Sequence, residues 1–258
     1  MDDHLKKECL EQGFADRKTV EEAIGGKLKE IETDATRVHG IFRNELDKWK
    51  KERLCGRKFR FVATIEVPPS GKLTKGVGRI AEKILESRMK YEQWEQPSET
   101  EKGKAPERHD LDNFLEKMGD VVRFRIKCNY LDDVRFIDEK LKALFTRYYE
   151  IISIADRKDF IDTPYPDRRV GHRAIQYTLR YNDVQNPFLF EVQIMTQLQH
   201  AWDKKDHHLV YERVRDGDGE KIPNHLKNRV AAMSELLYVA DITFDELRQK
   251  INEETGEE

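Results

Sequence analysis

The sequence has little that could cross-link the chain or bury it in a membrane. Its three cysteines, Cys9, Cys55 and Cys128, are widely spaced in 258 residues, and this odd number forms neither a disulfide framework nor a metal-binding pattern. No apolar run approaches the roughly 20 residues that a membrane helix needs. The N-terminus, Met-Asp-Asp-His-Leu-Lys-Lys-Glu, lacks the apolar segment of a signal peptide. We therefore expect a protein of the reducing cytoplasm with no membrane partner.

The sequence also has almost no net charge. The formal charge is −3, from 47 basic and 50 acidic residues, so no overall positive field favours a nucleic acid. Charged residues make up 38% of the chain and apolar residues another 38%, a balance that indicates long solvated helices around a modest core. We divide the chain into an N-terminal helical arm (1–55), a domain (56–215) and a C-terminal helix packed on that domain (216–258).

The spacing of apolar residues defines the secondary structure. Helical spacing predicts helices at 1–55, 79–90, 111–118, 131–149 and 224–251. Alternation predicts strands at 58–67, 120–128, 149–155, 171–180 and 188–196, with a proline-containing loop at 157–169. The order is helices, then β-α-β-α-β-β-β-α, then a helix. It predicts an α+β fold with a mixed five-stranded sheet flanked by helices and with helical extensions at both ends.

A strand and a helix follow each other directly in the segment 188–211. In the strand, apolar residues alternate with Glu191 and Gln193, which places the carboxylate and the amide on one face. The helix carries a polar stripe of residues one and two turns apart, His200, Lys204 and His207. This pattern predicts an acid held near a pocket lined by cations. The alternative is an edge strand with one solvated Glu, followed by an ordinary charged helix.

A second acid, Asp120, stands at the mouth of another predicted strand. In this strand Arg123, Arg125 and Lys127 alternate with apolar residues. Three cations on one strand face repel each other unless something anionic lies opposite. The strand therefore either faces an anion or is a solvent-exposed edge.

The remaining features favour phosphate chemistry. The Gly- and Lys-rich loop 71–78 opens a helix and could bind phosphate; it lacks the closing Gly-Lys-Ser/Thr of a P-loop, and a flexible connector is the alternative. Mg²⁺ with a nucleoside triphosphate takes one or two carboxylates, which Asp120 and Glu191 could supply if their strands lie close together. The cations available around them are Lys75, Lys83, Arg123, Arg125, Lys127, Arg168, Arg169, Arg173 and Lys204. Such groups serve phosphoryl transfer.

Five motifs occur in a fixed order. They are Asp-Val-Val-Arg-Phe-Arg at 120–125, Lys-Asp-Phe-Ile at 158–161, Arg-Val-Gly-His-Arg-Ala-Ile-Gln at 169–176, Glu-Val-Gln-Ile-Met-Thr at 191–196 and His-Ala-Trp-Asp-Lys-Lys-Asp-His-His-Leu-Val-Tyr at 200–211. In order and spacing they resemble the synthetase domain of RelA/SpoT alarmone enzymes, over about residues 55–215. The resemblance implies the nucleotidyltransferase-like fold of that family's synthetases.

The resemblance also implies an activity, the transfer of pyrophosphate from ATP to the 3′-hydroxyl of GDP or GTP with release of AMP. Asp120 and Glu191 would hold Mg²⁺, and Glu191 would also be the base for the attacking hydroxyl. Arg125 matches the arginine that stacks on the ATP adenine. We expect substrate contacts from Lys75, Lys83, Arg125, Arg169, Gly171, His172, Arg173, Gln193, His200, Lys204 and His207.

The chain departs from the family pattern on the acceptor side. His172 replaces the tyrosine that stacks on the acceptor guanine, Met195 replaces the usual arginine of Glu-x-Gln-x-Arg-Thr, and Asp206 replaces a glutamate. Two alternatives therefore stay open: a catalytically silent nucleotide-binding module, and a toxin that pyrophosphorylates adenosine nucleotides or the 3′ end of tRNA. The net charge makes tRNA the less favoured acceptor. A homo-oligomer and an antitoxin partner are compatible with these interpretations.

Overall fold

The computed structural model describes residues 17–54, 63–66, 73–95, 106–164, 171–183, 185–215 and 222–255. The helices in these ranges are α1 (Arg17–Leu54), α2 (Val77–Glu95), α3 (Phe114–Lys117), α4 (Leu131–Arg147), α5 (Gln197–Asp206), α6 (Glu212–Arg215) and α7 (Asn224–Thr255). The strands are β1 (Ala63–Glu66), β2 (Val122–Cys128), β3 (Ile152–Asp159), β4 (Ile175–Tyr181) and β5 (Phe188–Thr196). A π-helical turn, His207–Tyr211, joins α5 to α6. None of the helices in the described ranges combines the length and apolar character that crossing a membrane requires.

The five strands form one mixed sheet in the order β1-β2-β5-β4-β3. The pair β2–β5 is parallel, and the other three pairs are antiparallel. This confirms the predicted mixed five-stranded sheet with flanking helices. Because β5 lies in the centre, all nine of its residues are buried, and the alternative of an edge strand with a solvated Glu is wrong. The alternative of a solvent-exposed edge is also wrong for β2, which lies between β1 and β5.

Several element boundaries differ from the prediction. Strand β3 continues to Asp159, inside the predicted loop, because Arg157 pairs with Tyr177 beyond a register shift and also binds Asp138 at 2.8 and 3.0 Å. Strand β4 begins only at Ile175. The predicted helix 111–118 contains a single helical turn, α3. Of the predicted strand 58–67, residues 58–62 and 67 lie outside the described ranges, as do residues 1–16 and 55 of the N-terminal arm.

The apolar core joins the first helix to the sheet. One cluster of buried side chains contains residues of α1, α2, α3, α4 and all five strands. Phe42 of α1 lies edge-on to Phe124 of β2 and Phe190 of β5, with ring centroids 5.0 and 6.2 Å apart. The other face of β2 and β5 carries the polar residues Arg123, Arg125, Glu191 and Gln193, and this face bears the candidate site.

Helix α7 docks on the domain through polar contacts. Thr196 donates to Asp241 at 2.6 Å, and Arg248 donates to Asp133 at 3.2 Å. The opposite side of α7 leaves large apolar side chains exposed: Leu226, Met233, Leu236, Val239, Ile242, Phe244, Leu247 and Ile251. The helix therefore presents an apolar face to solvent and a polar face to the rest of the protein.

Candidate active site

The backbone before α2 brings a lysine to Asp120. The segment 73–75 runs antiparallel to the start of β2, with a bridge between Thr74 and Val122. The Lys75 amide donates to the Val121 carbonyl at 2.8 Å. Helix α2 begins two residues later and carries Lys83 to the same place. Lys83 Nζ donates to Asp120 Oδ2 at 2.6 Å, and Lys75 Nζ binds the same oxygen.

The three charged groups in this cluster shift one another's pKa values. Burial, reinforced by the positive charge of Lys83, lowers the pKa of Lys75 to about 8, although Asp120 opposes this shift. Burial also opposes the charge of Lys83, but Asp120 raises the pKa of Lys83 overall. Although burial opposes its ionisation, the two lysines hold the pKa of Asp120 well below its usual range. The cluster therefore consists of an ionised carboxylate between two lysines.

Glu191 occupies the centre of the sheet on the same face. It lies between Arg123 of β2 and Thr178 of β4 in the register, and it is only 7% exposed. Its Oε1 accepts from Gln193 Nε2 at 2.9 Å, and its Oε2 accepts from Gln176 Nε2 at 2.5 Å. Burial and the negative charge of Asp120 raise the pKa of Glu191. The two carboxylates therefore interact electrostatically, and Glu191 is suited to accept a proton.

A chain of side chains connects Glu191 to the loop before β4. Gln193 accepts from Arg125 Nε at 2.8 Å through its Oε1. Arg125 Nη2 lies 2.9 Å from Asp203 Oδ2, and Asp203 Oδ1 lies 2.9 Å from His172 Nδ1. The resemblance predicts Arg125 and His172 as nucleotide contacts, but it does not predict Asp203. The two predicted nucleotide contacts are thus joined by one buried acid.

The predicted His and Lys of α5 meet a different acid. Lys204 Nζ lies 3.2 Å from Glu66 of β1, and His200 Nε2 lies 2.8 Å from the same carboxylate. Lys127 completes this group at 3.0 Å. Burial, with help from Arg125, lowers the pKa of His200 to about 4, so its ring is neutral at pH 7. The structure therefore gathers His200 and Lys204 around Glu66 rather than around Glu191.

Two residues of the loop before β4, Gly171 and Arg173, face α7. Gly171 has a φ of 100°, and a Cβ there would lie 3.0 Å from Trp202. Arg173 is buried, binds both oxygens of Glu235 at 2.7 Å, and lies 4.1 Å from the Tyr238 ring centre. Arg173 thus anchors the loop to α7, and this role differs from the predicted substrate contact.

Of the two remaining predicted contacts, the structure describes only His207. His207 lies in the π-helical turn, with its ring 5.0 Å from the Tyr211 ring and Nδ1 3.2 Å from Glu212. The prediction for Arg169 falls on residues 165–170, which lie outside the described part of the chain, and Arg168 lies there too.

A cavity of about 370 Å³ opens beside the lysine cluster. Its wall combines Lys83 and Asp120 with Lys90 of α2 and with His109 and Lys117 of the segment before β2. The wall also carries Glu86 and Glu107, so basic and acidic groups line the cavity together next to Asp120.

The donor set fits a divalent cation that arrives with a nucleotide. Among the described residues no group of three or more His, Cys, Asp or Glu side chains is arranged to hold a metal by itself. Two interacting carboxylates, Asp120 and Glu191, supply the hard oxygen ligands that Mg²⁺ prefers, and phosphate oxygens complete its shell in such sites. The residues present therefore fit nucleotide-bound Mg²⁺.

Comparison with known proteins finds relatives of this chain. A family model described as a region found in RelA / SpoT proteins matches residues 75–216. GTP pyrophosphokinase YjbM of Bacillus subtilis (strain 168) is 27% identical over 140 residues, which cover 54% of this chain and 62% of that protein. The match thus spans less than two thirds of that relative.

Two solved structures share the fold. The smu.1046c protein of Streptococcus mutans UA159 superposes with a TM-score of 0.58 at 19% identity, over 88% of this chain and 98% of that one. Small alarmone synthetase 1 from Bacillus subtilis gives a TM-score of 0.55 at 21% identity, with the same coverage. These likenesses confirm the predicted synthetase fold with its mixed sheet and helical extensions.

Proposed function

This chain belongs to the RelA/SpoT family, and on that premise we propose that it is an ATP-dependent pyrophosphokinase. It transfers the β,γ-pyrophosphate of ATP to the 3′-hydroxyl of a guanosine nucleotide, GDP or GTP, and releases AMP. The product is an alarmone of the (p)ppGpp type, made in the cytoplasm. The observation that carries the proposal is the parallel pairing of β5 with β2, which sets Glu191 opposite Arg123, three residues from the Asp120 carboxylate that binds Lys75 and Lys83.

The arrangement supports a division of roles. Glu191, with its raised pKa, accepts the proton of the acceptor 3′-hydroxyl. The 3′-oxygen bonds to the β-phosphorus of ATP as the bond from that phosphorus to the α,β-bridging oxygen breaks, and AMP leaves. Lys75 and Lys83 neutralise the phosphate oxygens once these displace the Asp120 carboxylate. Mg²⁺ would be held by Asp120 and Glu191, and when bound it supplies charge neutralisation at the phosphates.

Replacing the proposed base tests the reaction. Glu191→Gln keeps the shape of the side chain and one of its two acceptor oxygens, but it cannot accept a proton. AMP release from ATP plus GDP or GTP is expected to fall about 10²- to 10⁴-fold, with unchanged circular dichroism. Asp241→Asn, which changes a buried carboxylate on α7, is the matched control and should retain AMP release. Full activity of Glu191→Gln would refute the mechanism.

A catalytically silent nucleotide-binding module is the second candidate. Its support is that Met195, which replaces the family arginine, is fully buried, and that His172 is only 4% exposed. Incubation of the wild type with labelled ATP and each of GDP, GTP, ADP and ATP separates the two. Nucleotide binding without AMP from any acceptor favours the silent module. AMP with ADP or ATP, or label on tRNA together with growth arrest on expression, instead favours the toxin and an antitoxin partner.

We also propose that the protein is a homo-oligomer. Apolar residues of α7 alternate at spacings of four and three over four heptads: Leu226, Val230, Met233, Leu237, Ala240, Phe244, Leu247 and Ile251. Such a seam is typical of a helix that pairs with another helix. Light scattering after size exclusion is expected to give a multiple of 30.5 kDa, and Leu247→Glu is expected to reduce the mass to that of the monomer. A monomer in the wild type at micromolar concentration would contradict this proposal.

A further inference from the structure

Gly119 stands directly before Asp120 and packs against the sheet more closely than a side chain would allow. A Cβ at this position would lie 2.7 Å from Cγ2 of Thr178 on β4 and 3.4 Å from Oγ1 of the same side chain. The backbone does not require glycine here, because among the described glycines only Gly171 has a positive φ. The contact with Thr178 is therefore what excludes a side chain at position 119.

Thr178 is a direct neighbour of Glu191 in the sheet. The register pairs Glu191 with Thr178 of β4 on one side and with Arg123 of β2 on the other, and directly opposed residues point to the same face. Gly119 contacts Thr178, and the chain reaches Arg123 four residues later. The segment 119–123 therefore crosses β5 from one neighbour of Glu191 to the other, on the face that carries this carboxylate.

The helical turn before Gly119 rests on the same face. Glu116 of α3 lies 3.5 Å from Arg180 of β4, and Arg180 shares a face with Thr178 because the two are separated by one residue in the strand. Helix α3 also packs against β5. The contact of Gly119 follows three residues after Glu116, so the chain that leads to Asp120 rests on β4 at two places.

An added Cβ at position 119 would displace this turn. Carbon atoms in ordinary contact are about 3.5 Å apart, so the Cβ and the Thr178 methyl group would have to separate by about 0.8 Å. Thr178 is β-branched with a restricted χ1, and its strand is bonded by β5 on one side and β3 on the other. The turn is therefore the part that moves, and the carboxylate of Asp120 moves with it.

We propose that Gly119 is a positioning residue whose contact with the Thr178 methyl group sets the place of Asp120 relative to Glu191. The expected effect on rate rests on the proposed function, in which the two carboxylates act on one nucleotide. A displacement of about 1 Å in such a site can cost roughly 10²-fold in rate. One methyl group at position 178 thereby decides whether position 119 tolerates a side chain.

The test compares Gly119→Ala in three backgrounds that differ only at position 178. With Thr178 present, the substitution is expected to lower kcat for AMP release about tenfold or more. In Thr178→Ser, which removes Cγ2, the same substitution should lower kcat less than about twofold, because the close contact is gone. In Thr178→Val, which keeps a methyl group at that place, the loss should again be about tenfold or more.

The comparison can overturn the proposal in two ways. Equal losses in the Thr178 and Thr178→Ser backgrounds would show that the methyl group is not the cause, and no loss with Thr178 present would show that the turn does not move. If Gly119→Ala does not fold, Gly119→Ala/Thr178→Ser should fold, and a failure of both would also overturn the proposal. Gly26→Ala on α1, where a Cβ has no heavy atom within 4 Å, is the matched control and should retain kcat in all three backgrounds.

A readout without turnover separates this inference from the proposed function. Binding of Mn²⁺ together with a non-hydrolysable ATP analogue is followed by electron paramagnetic resonance. Gly119→Ala should weaken Mn²⁺ binding about tenfold or more, and only where position 178 carries the methyl group. If the wild type releases no AMP with any acceptor but Mn²⁺ binding follows this pattern, the proposed transfer fails and the positioning of Asp120 stands.

The other outcomes are equally distinct. If AMP is released but neither kcat nor Mn²⁺ binding depends on the methyl group, the inference about Gly119 fails alone. If the wild type neither releases AMP nor binds Mn²⁺ with the analogue, the proposed function and the inference fail together.

Discussion

Lys83 Nζ and Asp120 Oδ2 lie 2.6 Å apart, and Lys75 binds the same oxygen. Two lysines on one carboxylate leave a positive charge in excess at the position where phosphates are expected. The two lysines are not equivalent, because the pKa of Lys75 is lowered to about 8 while that of Lys83 is raised. Only Lys75 should therefore change its charge in a pH range where the enzyme can be assayed.

This difference predicts a pH dependence for ATP. As pH rises through about 8, Lys75 loses its proton, and kcat/KM for ATP should fall about tenfold per pH unit if that charge is required. Lys75→Arg keeps its charge at every pH of interest, so its profile should stay flat to about pH 9. Lys83→Arg is the matched control and should retain the wild-type profile. A wild-type profile that is flat between pH 7.5 and 9 would contradict the role of Lys75.

A second prediction concerns the hydrogen bond from Gln176 to Glu191, which is 2.5 Å long. A donor to a carboxylate stabilises its ionised form, so Gln176→Met should raise the pKa of Glu191 further. The acid limb of the pH profile of kcat should then move to higher pH by about one unit, with little change in KM for ATP. A parallel loss of kcat at all pH values, without a shift of the limb, would instead indicate that Gln176 acts only through packing.

The sequence predicts one strand face of the site well and the long-range partners poorly. Alternation in 188–196 places Glu191 and Gln193 side by side, and the structure has them hydrogen-bonded at 2.9 Å. The partners of His200 could not be predicted in this way, because Glu66 meets it only through the docking of α5 across β1 and β2. No feature of the neighbouring sequence distinguishes Glu66 from other charged residues at the ends of strands.

Asp203 could have been found by a closer inspection of helical spacing. Gln199, Asp203 and Asp206 follow one another at intervals of four and three, and all three are buried. Polar residues at the spacing of a buried helix face indicate a hydrogen-bonded interface. The identity of the partners, Arg125 and His172, still depends on the order of the strands, which the sequence does not determine locally.

A third prediction concerns Gly171, whose φ is 100°. A Cβ at this position would lie 3.0 Å from Trp202 Cζ2, 3.1 Å from Ser234 Cβ and 3.3 Å from the Ala231 backbone. Gly171→Ala should therefore lower the free energy of unfolding by about 2–3 kcal/mol, combining backbone strain with overpacking. Urea denaturation measures the change.

The matched control is Gly40→Ala in the middle of α1. A Cβ there has no heavy atom within 4 Å, and alanine favours a helix over glycine by about 0.5–1 kcal/mol. This variant should be more stable than the wild type. Equal destabilisation by the two substitutions would mean that the close packing of Gly171 against α7 does not cause the loss of stability.

The last prediction concerns the attachment of α7 through Asp241, which is 1% exposed. Burial raises the pKa of Asp241 from 3.8 to about 6, against the hydrogen bond from Thr196. Because the folded state holds this proton at higher pH than the unfolded state, the stabilisation is fully present below about pH 4. It is lost as the pH rises through about 6. The shift corresponds to about 2–3 kcal/mol.

The difference between wild type and Asp241→Asn isolates this contribution, because asparagine does not titrate. The free energy of unfolding of the wild type, minus that of the variant, should fall by about 2–3 kcal/mol between pH 4 and pH 7 in urea titrations. Ser234→Ala removes an uncharged buried group from the same helix, so its difference from wild type should be independent of pH. A difference for Asp241→Asn that stays constant over this range would mean that the carboxylate remains ionised in the folded protein.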